Sequence, residues 1–483
     1  MMSGDTEQLV PRESQSERNQ GSRTTVFRGA RVVRLAKLIA LTIAVTITLL
    51  FVAGPAGSRI ITLLGFNKQI DDNVDQMITE GRQTFRFDTF GDEVFWGDML
   101  KLHQAIEGAQ FGGVGPGLSP NAALGLGLKV DVDALPRNLV NKLKQNRVDL
   151  NDPAVTLVLL RHNAVLGVQG FFNEDNGLRS VGITCALCHS TVDNSLTTGI
   201  GHRLDGWANR DLNVGEIVAL APDLSAFSNL LGVNQDTVRT VLRSWGPGKF
   251  DAELSLDGKA FNPQQISNGV VTGTNVSGAT LIPPAFGLAG VNLHTWTGWG
   301  SVTHWNAFVA NLEMHGSGTF FDPRLNDAAK FPIAAANGFG NVRNTPDLIT
   351  SKLAALHFYQ LAIPAPRPPD GSFDSGAATR GQTVFNGKAQ CATCHVPPLF
   401  SEPGWNMHTP AQICIDDFQA KRSPDEHYRT SPLKGLWTHQ RGGFFHDGRF
   451  ATLLDVVNHY DTCFSLGLTT EEKSDLVEYL KSL

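Results

Sequence analysis

The longest run of apolar positions is Leu38 to Gly57, 20 residues without a charge, set between Lys37 and the pair Ser58-Arg59. A helix of that length spans the hydrocarbon core of a bilayer. Elsewhere apolar positions recur at helical spacing in shorter pieces. Asp152 before Pro153 is a helix start, and Leu157, Leu160, Ala164 and Val168 continue one apolar face. A second helix is predicted from Thr345 and Pro346 through Leu353, Leu356 and Phe358 to Leu361, and a short one from Ala378 to Phe385. Thr469 and Glu472 form a capping box for a last helix with Leu476, Val477, Leu480 and Leu483 inward. Residues 363–376 hold Pro364, Pro366, Pro368 and Pro369 and read as a linker.

Composition narrows the class. The 483 residues, 41% hydrophobic and 18% charged, exclude wholesale disorder and a multi-span membrane architecture. The net charge of −6 gives no reason to expect nucleic-acid binding. Residues 1–37 carry seven basic and four acidic residues and read as a disordered cytoplasmic tail, its positive charge crowded into Arg23, Arg28, Arg31, Arg34 and Lys37. Positive charge before the apolar stretch and Asp71, Asp72 and Asp75 after it orient the chain with its body in the periplasm. Residues 38–57 are thus a single-pass inner-membrane anchor, or a signal peptide with a long basic lead-in, cut near Ala56. Both readings export the body.

Cysteine spacing supplies the chemistry. Four of six cysteines fall in two C-x-x-C-H motifs, Cys185, Cys188, His189 and Cys391, Cys394, His395, the attachment pattern of c-type haem. Two thiols three positions apart reach the two vinyl groups of one porphyrin, and the next imidazole reaches the iron. A shared zinc site is disfavoured, because 202 residues separate Cys188 from Cys391. Two covalently bound haems are expected. Cys414 and Cys463 remain, either free or paired in an oxidising compartment.

The resulting organisation is mainly α. One N-terminal transmembrane helix precedes an exported region of unassigned role (58–150), a first haem c domain (151–362), the Pro-rich linker (363–376) and a second haem c domain (377–483). Helix, haem motif, long loops and helix make each haem domain cytochrome c-like. The cluster Phe85, Phe87, Phe90, Phe95 and Trp96 within 58–150 is assigned to packing.

An internal echo follows each motif: Pro284, Gly287, Leu288, Trp296 and Gly298 after the first, and Pro432, Gly435, Leu436, His446, Asp447 and Gly448 after the second. With the Thr452 to Tyr460 segment, these residues make the chain from about 150 to 483 resemble the bacterial di-haem cytochrome c peroxidase and MauG superfamily. The resemblance implies an electron-relay tryptophan at Trp296, with Trp299 the substitute, and a peroxide-side glutamate at Glu313. The glutamine and proline that the family places between them are replaced around Trp305 and Asn306. The resemblance puts Tyr460 at the sixth position of the second haem, with His459 beside it and Met407 further off as alternatives; His202 stands in the corresponding range of the first. It further implies calcium held by backbone oxygens that include Thr430-Ser431-Pro432, and a small c-type cytochrome or other periplasmic redox partner. Two functions follow: peroxide reduction or partner oxidation by electron transfer between two haems, or electron carriage without substrate chemistry.

Overall fold

The computed structural model describes residues 55–483 apart from 265, 268–269, 272–276 and 440. The predicted anchor lies outside the described residues except for its last three. No helix among the described residues is long and apolar enough to cross a membrane. A helix of 33 residues, Pro55–Phe87, opens the described chain. Residues from Val74 onward form one compact unit.

That unit is mainly helical, and its strands form only two-stranded sheets. The helix Pro153–Arg161 starts as predicted, with the Asp152 carboxylate accepting from the Ala154 N–H at 2.9 Å. It does not run on through Ala164 and Val168. Asn163 and Gly167 both take positive φ, which turns the chain into an antiparallel hairpin, Val168–Phe172 with Leu178–Ile183, and this hairpin leads into the first motif. Gly167 is required there twice over: a Cβ would stand 2.1 Å from the Leu187 backbone. Leu157, Leu160 and Leu187 then share a core with Phe95, Trp96, Leu100 and Leu212. Phe85 and Phe90 are buried as well and Phe87 half-buried, so the aromatic cluster ahead of residue 150 packs around the first motif.

The helix predicted from Thr345 is confined to Leu353–Ala362 after a 3-10 turn, Thr350–Lys352. Pro346 cannot donate to a helical ladder and biases Thr345 toward extended backbone, so the helix waits for the apolar run that follows. Past the prolines, Asp374 caps Ser375–Asn386, starting that helix three residues earlier than the apolar pattern suggests. It packs on the final helix, Thr470–Lys481, where a Cβ on Gly381 would stand 2.0 Å from the Asp475 carbonyl oxygen. A third helix, Leu453–Phe464, closes this core around Phe385, Leu436, Phe444, Val457, Leu476 and Leu480. Thr469 and Glu472 form the predicted capping box, and Val477 and Leu483 are only partly buried. Cys414 and Cys463 are joined in a disulfide.

Candidate functional site

The second motif stands in a 3-10 turn, Cys391–Thr393, directly after the helix Ser375–Asn386. Beside it opens a cavity of about 690 Å³, lined by Cys391, Cys394, His395 and an apolar wall that includes Phe385, Leu436, Phe444 and Val457. That volume is in the range of cofactor sites, about 300–1,000 Å³. The His395 Nδ1–H donates to the Phe400 carbonyl at 3.1 Å, and the ring also meets the Ser431 backbone. Burial holds the imidazole below its ordinary pKa and pushes the Cys391 thiol up to about 11.

The first motif repeats the arrangement. Its turn, Ala186–His189, is held against the hairpin, and the His189 Nδ1–H donates to the Pro283 carbonyl at 3.1 Å. Burial pulls His189 down to about 4 and pushes Cys185 and Cys188 up to about 12. Burial thus favours the neutral form of both imidazoles, the form a metal ligand takes.

Leu281–Pro283 connects the two motifs. The Pro283 carbonyl accepts from the His189 Nδ1–H, the Leu281 carbonyl accepts from the Trp296 indole N–H at 2.8 Å, and the Leu281 N–H donates to the His446 carbonyl at 2.6 Å. Trp296 and His446 both line the cavity of the second motif. Trp299 is turned into a different core, its indole N–H on Asp322 at 2.9 Å. The two echo segments meet here too: Pro284, Phe286, Leu288, Pro432 and Leu436 all line the cavity, and Gly435 lies against the Phe286 ring. Thr430 also lines it, its carbonyl accepting from the Ser401 hydroxyl at 2.6 Å.

Tyr460 lies on the helix Leu453–Phe464 and lines the cavity, stacked on Phe464 at 5.7 Å. Burial, reinforced by the nearby Cys394 and Cys391, raises its phenol above the ordinary range. The adjacent His459 points elsewhere, its Nε2 on the Ile413 carbonyl at 2.9 Å. Met407 packs below Gly298; neither it nor His459 lines the cavity. His202 is exposed and paired with Asp133 at 3.0 Å.

Glu313 ends a π-helical turn, Val309–Glu313. The neighbouring Ala310 and Met314 share an apolar cluster with Cys185 and Ala186, which brings this turn against the first motif. Its Oε1 is enclosed without a hydrogen-bond partner. Burial, with the charges of Glu253 and Asp251 adding, lifts the carboxyl well above the usual carboxylate range.

Two arginines escaped the sequence reading. Arg210 lines the cavity with its Nε and Nη1 enclosed and unpartnered, and burial lowers it to about 10. Arg429 also lines it, with its Nη1 on the Leu293 carbonyl at 3.0 Å and its Nε on the Thr295 carbonyl. A lone arginine has no spacing signature; only Arg429, directly before Thr430, stood beside a segment already singled out. An apolar chamber with two thiols, the His395 imidazole and two arginines suits a flat apolar group carrying acidic edges.

No family model matches the chain. A cytochrome-c peroxidase of Denitromonas iodatirespirans is 26% identical over 37% of this chain and 60% of its own length, so the chain spans less than two thirds of that relative. Among solved structures, hydrazine synthase of Kuenenia stuttgartiensis is 19% identical with a TM-score of 0.25, over 48% of this chain and 86% of that one. The diheme peroxidase of Burkholderia thailandensis is 16% identical with a TM-score of 0.30, over 50% of this chain and 78% of that one.

Proposed function

We propose, from the premise that this chain is a distant homologue in the di-haem cytochrome c peroxidase and MauG superfamily, that it is an exported, membrane-anchored di-haem cytochrome that reduces peroxide with electrons from a small periplasmic c-type cytochrome. The observation that carries the reading is the shared geometry of the two motif histidines, each buried beside a cysteine pair with its Nδ1 on a backbone carbonyl. The unpartnered Arg210 fits the same occupant, since a buried guanidinium without a counter-charge is costly and a haem carries carboxylates. Cys185, Cys188 and His189 would hold one haem, Cys391, Cys394 and His395 the other, with Tyr460 facing the second from across its cavity. A calcium ion on the backbone oxygens of Thr430 and Pro432 belongs to the same reading.

When bound, the haem irons supply the electron exchange with peroxide. Glu313 takes a proton from one peroxide oxygen and returns it to the other, a task that suits an enclosed carboxyl with a raised pKa. Trp296, tied through Leu281 to the segment 281–283 whose Pro283 carbonyl also anchors His189, connects the two sites. The alternative, an electron carrier without substrate chemistry, draws on Trp305 and Asn306, which fill the altered segment: Trp305 is buried in the core and Asn306 is held by Gln360 at 2.7 Å.

One series tests the reading. A pyridine haemochrome assay is expected to give two haems per chain, and one after Cys188→Ala or Cys394→Ala. Glu313→Gln is expected to slow peroxide-driven oxidation of the reduced protein by about 100-fold or more. An unchanged rate leaves the carrier reading.

A further inference from the structure

Two tryptophans that belong to neither motif meet between them. Trp207 follows the strand Arg203–Asp205, which pairs antiparallel with Ser190–Val192, the strand that continues directly out of the first motif. Its neighbours close on that motif: the Gly206 N–H donates to the His189 carbonyl and the Asn209 N–H to the Cys188 carbonyl, both at 2.8 Å. The Asp205 carboxylate secures the strand, accepting from the Ser190 hydroxyl at 2.8 Å and from Arg86 and Tyr359 at 2.6 Å each. Trp207 is thus tied to the backbone of the first haem-attachment sequence.

Trp437 belongs to the second site. It stands in the 3-10 turn Leu436–His439, whose Leu436 and His439 both line the cavity beside His395. Its indole N–H donates to the Pro366 carbonyl of the Pro-rich segment at 3.3 Å. The two indoles meet edge to face with ring centroids 5.3 Å apart, inside the range of favourable aromatic pairs. Phe286 backs the contact from the cavity wall, its ring 6.4 Å from Trp207 and 6.2 Å from His439. Gly435 is required beside it, since a Cβ there would stand 2.7 Å from the Phe286 ring. An unbroken series of contacts therefore runs from Cys188 and His189 through Trp207 and Trp437 to the cavity of the second motif. It shares no residue with the connection through Leu281 and Trp296.

We propose that Trp207 and Trp437 form a second electron path between the two haem sites, beside the one through Trp296. The inference rests on the two-haem part of the reading above and holds for peroxide reduction and for electron carriage alike. An indole gives up an electron far more readily than an aliphatic side chain or a phenyl ring, so two indoles in contact bridge a span that saturated groups would insulate. In each transfer one haem iron is oxidised and the other reduced by one electron. Each indole ends with the electrons it began with, and no bond is made or broken.

The test uses the full, haem-loaded protein and follows electron exchange within the chain after one-electron reduction by a radiolysis pulse, not turnover. Trp296→Phe is expected to keep a measurable exchange. In that background Trp207→Phe or Trp437→Phe is expected to slow the remaining exchange by about 10-fold or more, the effect of a barrier higher by about 1.4 kcal/mol. Both together are expected to slow it no further than either alone, as for two members of one path. Haem content and both reduction potentials are expected to hold, and Trp207→Tyr, which keeps an oxidisable ring, to retain most of the exchange. Far-ultraviolet circular dichroism of the wild type is expected to show an exciton couplet from the paired indoles, removed by either substitution to phenylalanine. Loss of exchange in Trp296→Phe alone, an unchanged rate in the further variants, additive effects of the pair, or an absent couplet overturns the proposal. If Trp207→Phe does not load both haems, Trp437→Phe, whose indole N–H is bonded to the Pro-rich segment and not to a motif, decides. A wild type with one haem per chain defeats the two-haem reading instead, independently of the rates.

Discussion

Arg210 keeps a guanidinium inside the protein with two of its nitrogen positions unpartnered, although removing such a charge from water costs several kcal/mol unless something answers it. Arg210 lines the cavity beside His395, and in the proposed reading the acidic edge of a haem held there answers it. A positive charge there favours the reduced iron. Arg210→Gln is therefore expected to lower the potential of that haem with its covalent attachment intact, as read by potentiometric titration; an unmoved potential means that the guanidinium faces something else. Tyr460 and His459, one residue apart, show how strongly orientation decides a role. A rotation of about 100° per helical residue turns one to the cavity and the other to the Ile413 carbonyl.

At the scale of elements, the helix Leu453–Phe464 is fixed at both ends. Thr452 accepts from the Asp455 N–H while the Asp455 carboxylate takes the Thr452 N–H at 2.9 Å, and Cys463 ties the last turn to Cys414. Tyr460 lies between these two restraints, so the cap is part of what places it. Thr452→Ala is expected to cost about 0.5–2 kcal/mol in urea unfolding and to perturb the ferric spectrum of the second haem; loss of stability alone limits the cap to folding. The same local chemistry made the elements around the second motif legible. Capping residues and apolar spacing sit within a few positions of each other there, as in Thr469 with Glu472. Around the first motif the pattern misled, because Leu157, Leu160, Ala164 and Val168 also keep helical spacing, while the positive φ of Asn163 and the contact of Gly167 with Leu187 are decided by packing.

At the scale of the molecule, Arg422 links parts of the chain far apart in sequence, since its partners Asp251 and Asp257 lie over 160 residues earlier. Arg422→Met is expected to cost about 3–5 kcal/mol in urea unfolding at neutral pH, because it strands two buried carboxylates. Without their cation, both carboxyls have folded-state pKa values above the unfolded ones; stability then falls as pH rises between those values, so the deficit is expected to shrink as the pH is lowered. A deficit independent of pH would mean that Arg422 acts by packing. The motif cysteines and histidines were visible in the chain, because haem attachment is a rule about residues a few positions apart, whereas Trp296, Glu313 and Tyr460 were singled out only by the family resemblance. Arg210, the contact of Trp207 with Trp437 and the route from Pro283 through Leu281 to Trp296 were not visible. A buried charge without a partner, or a carbonyl shared between two sites, exists only once distant segments are packed together and water is excluded from between them.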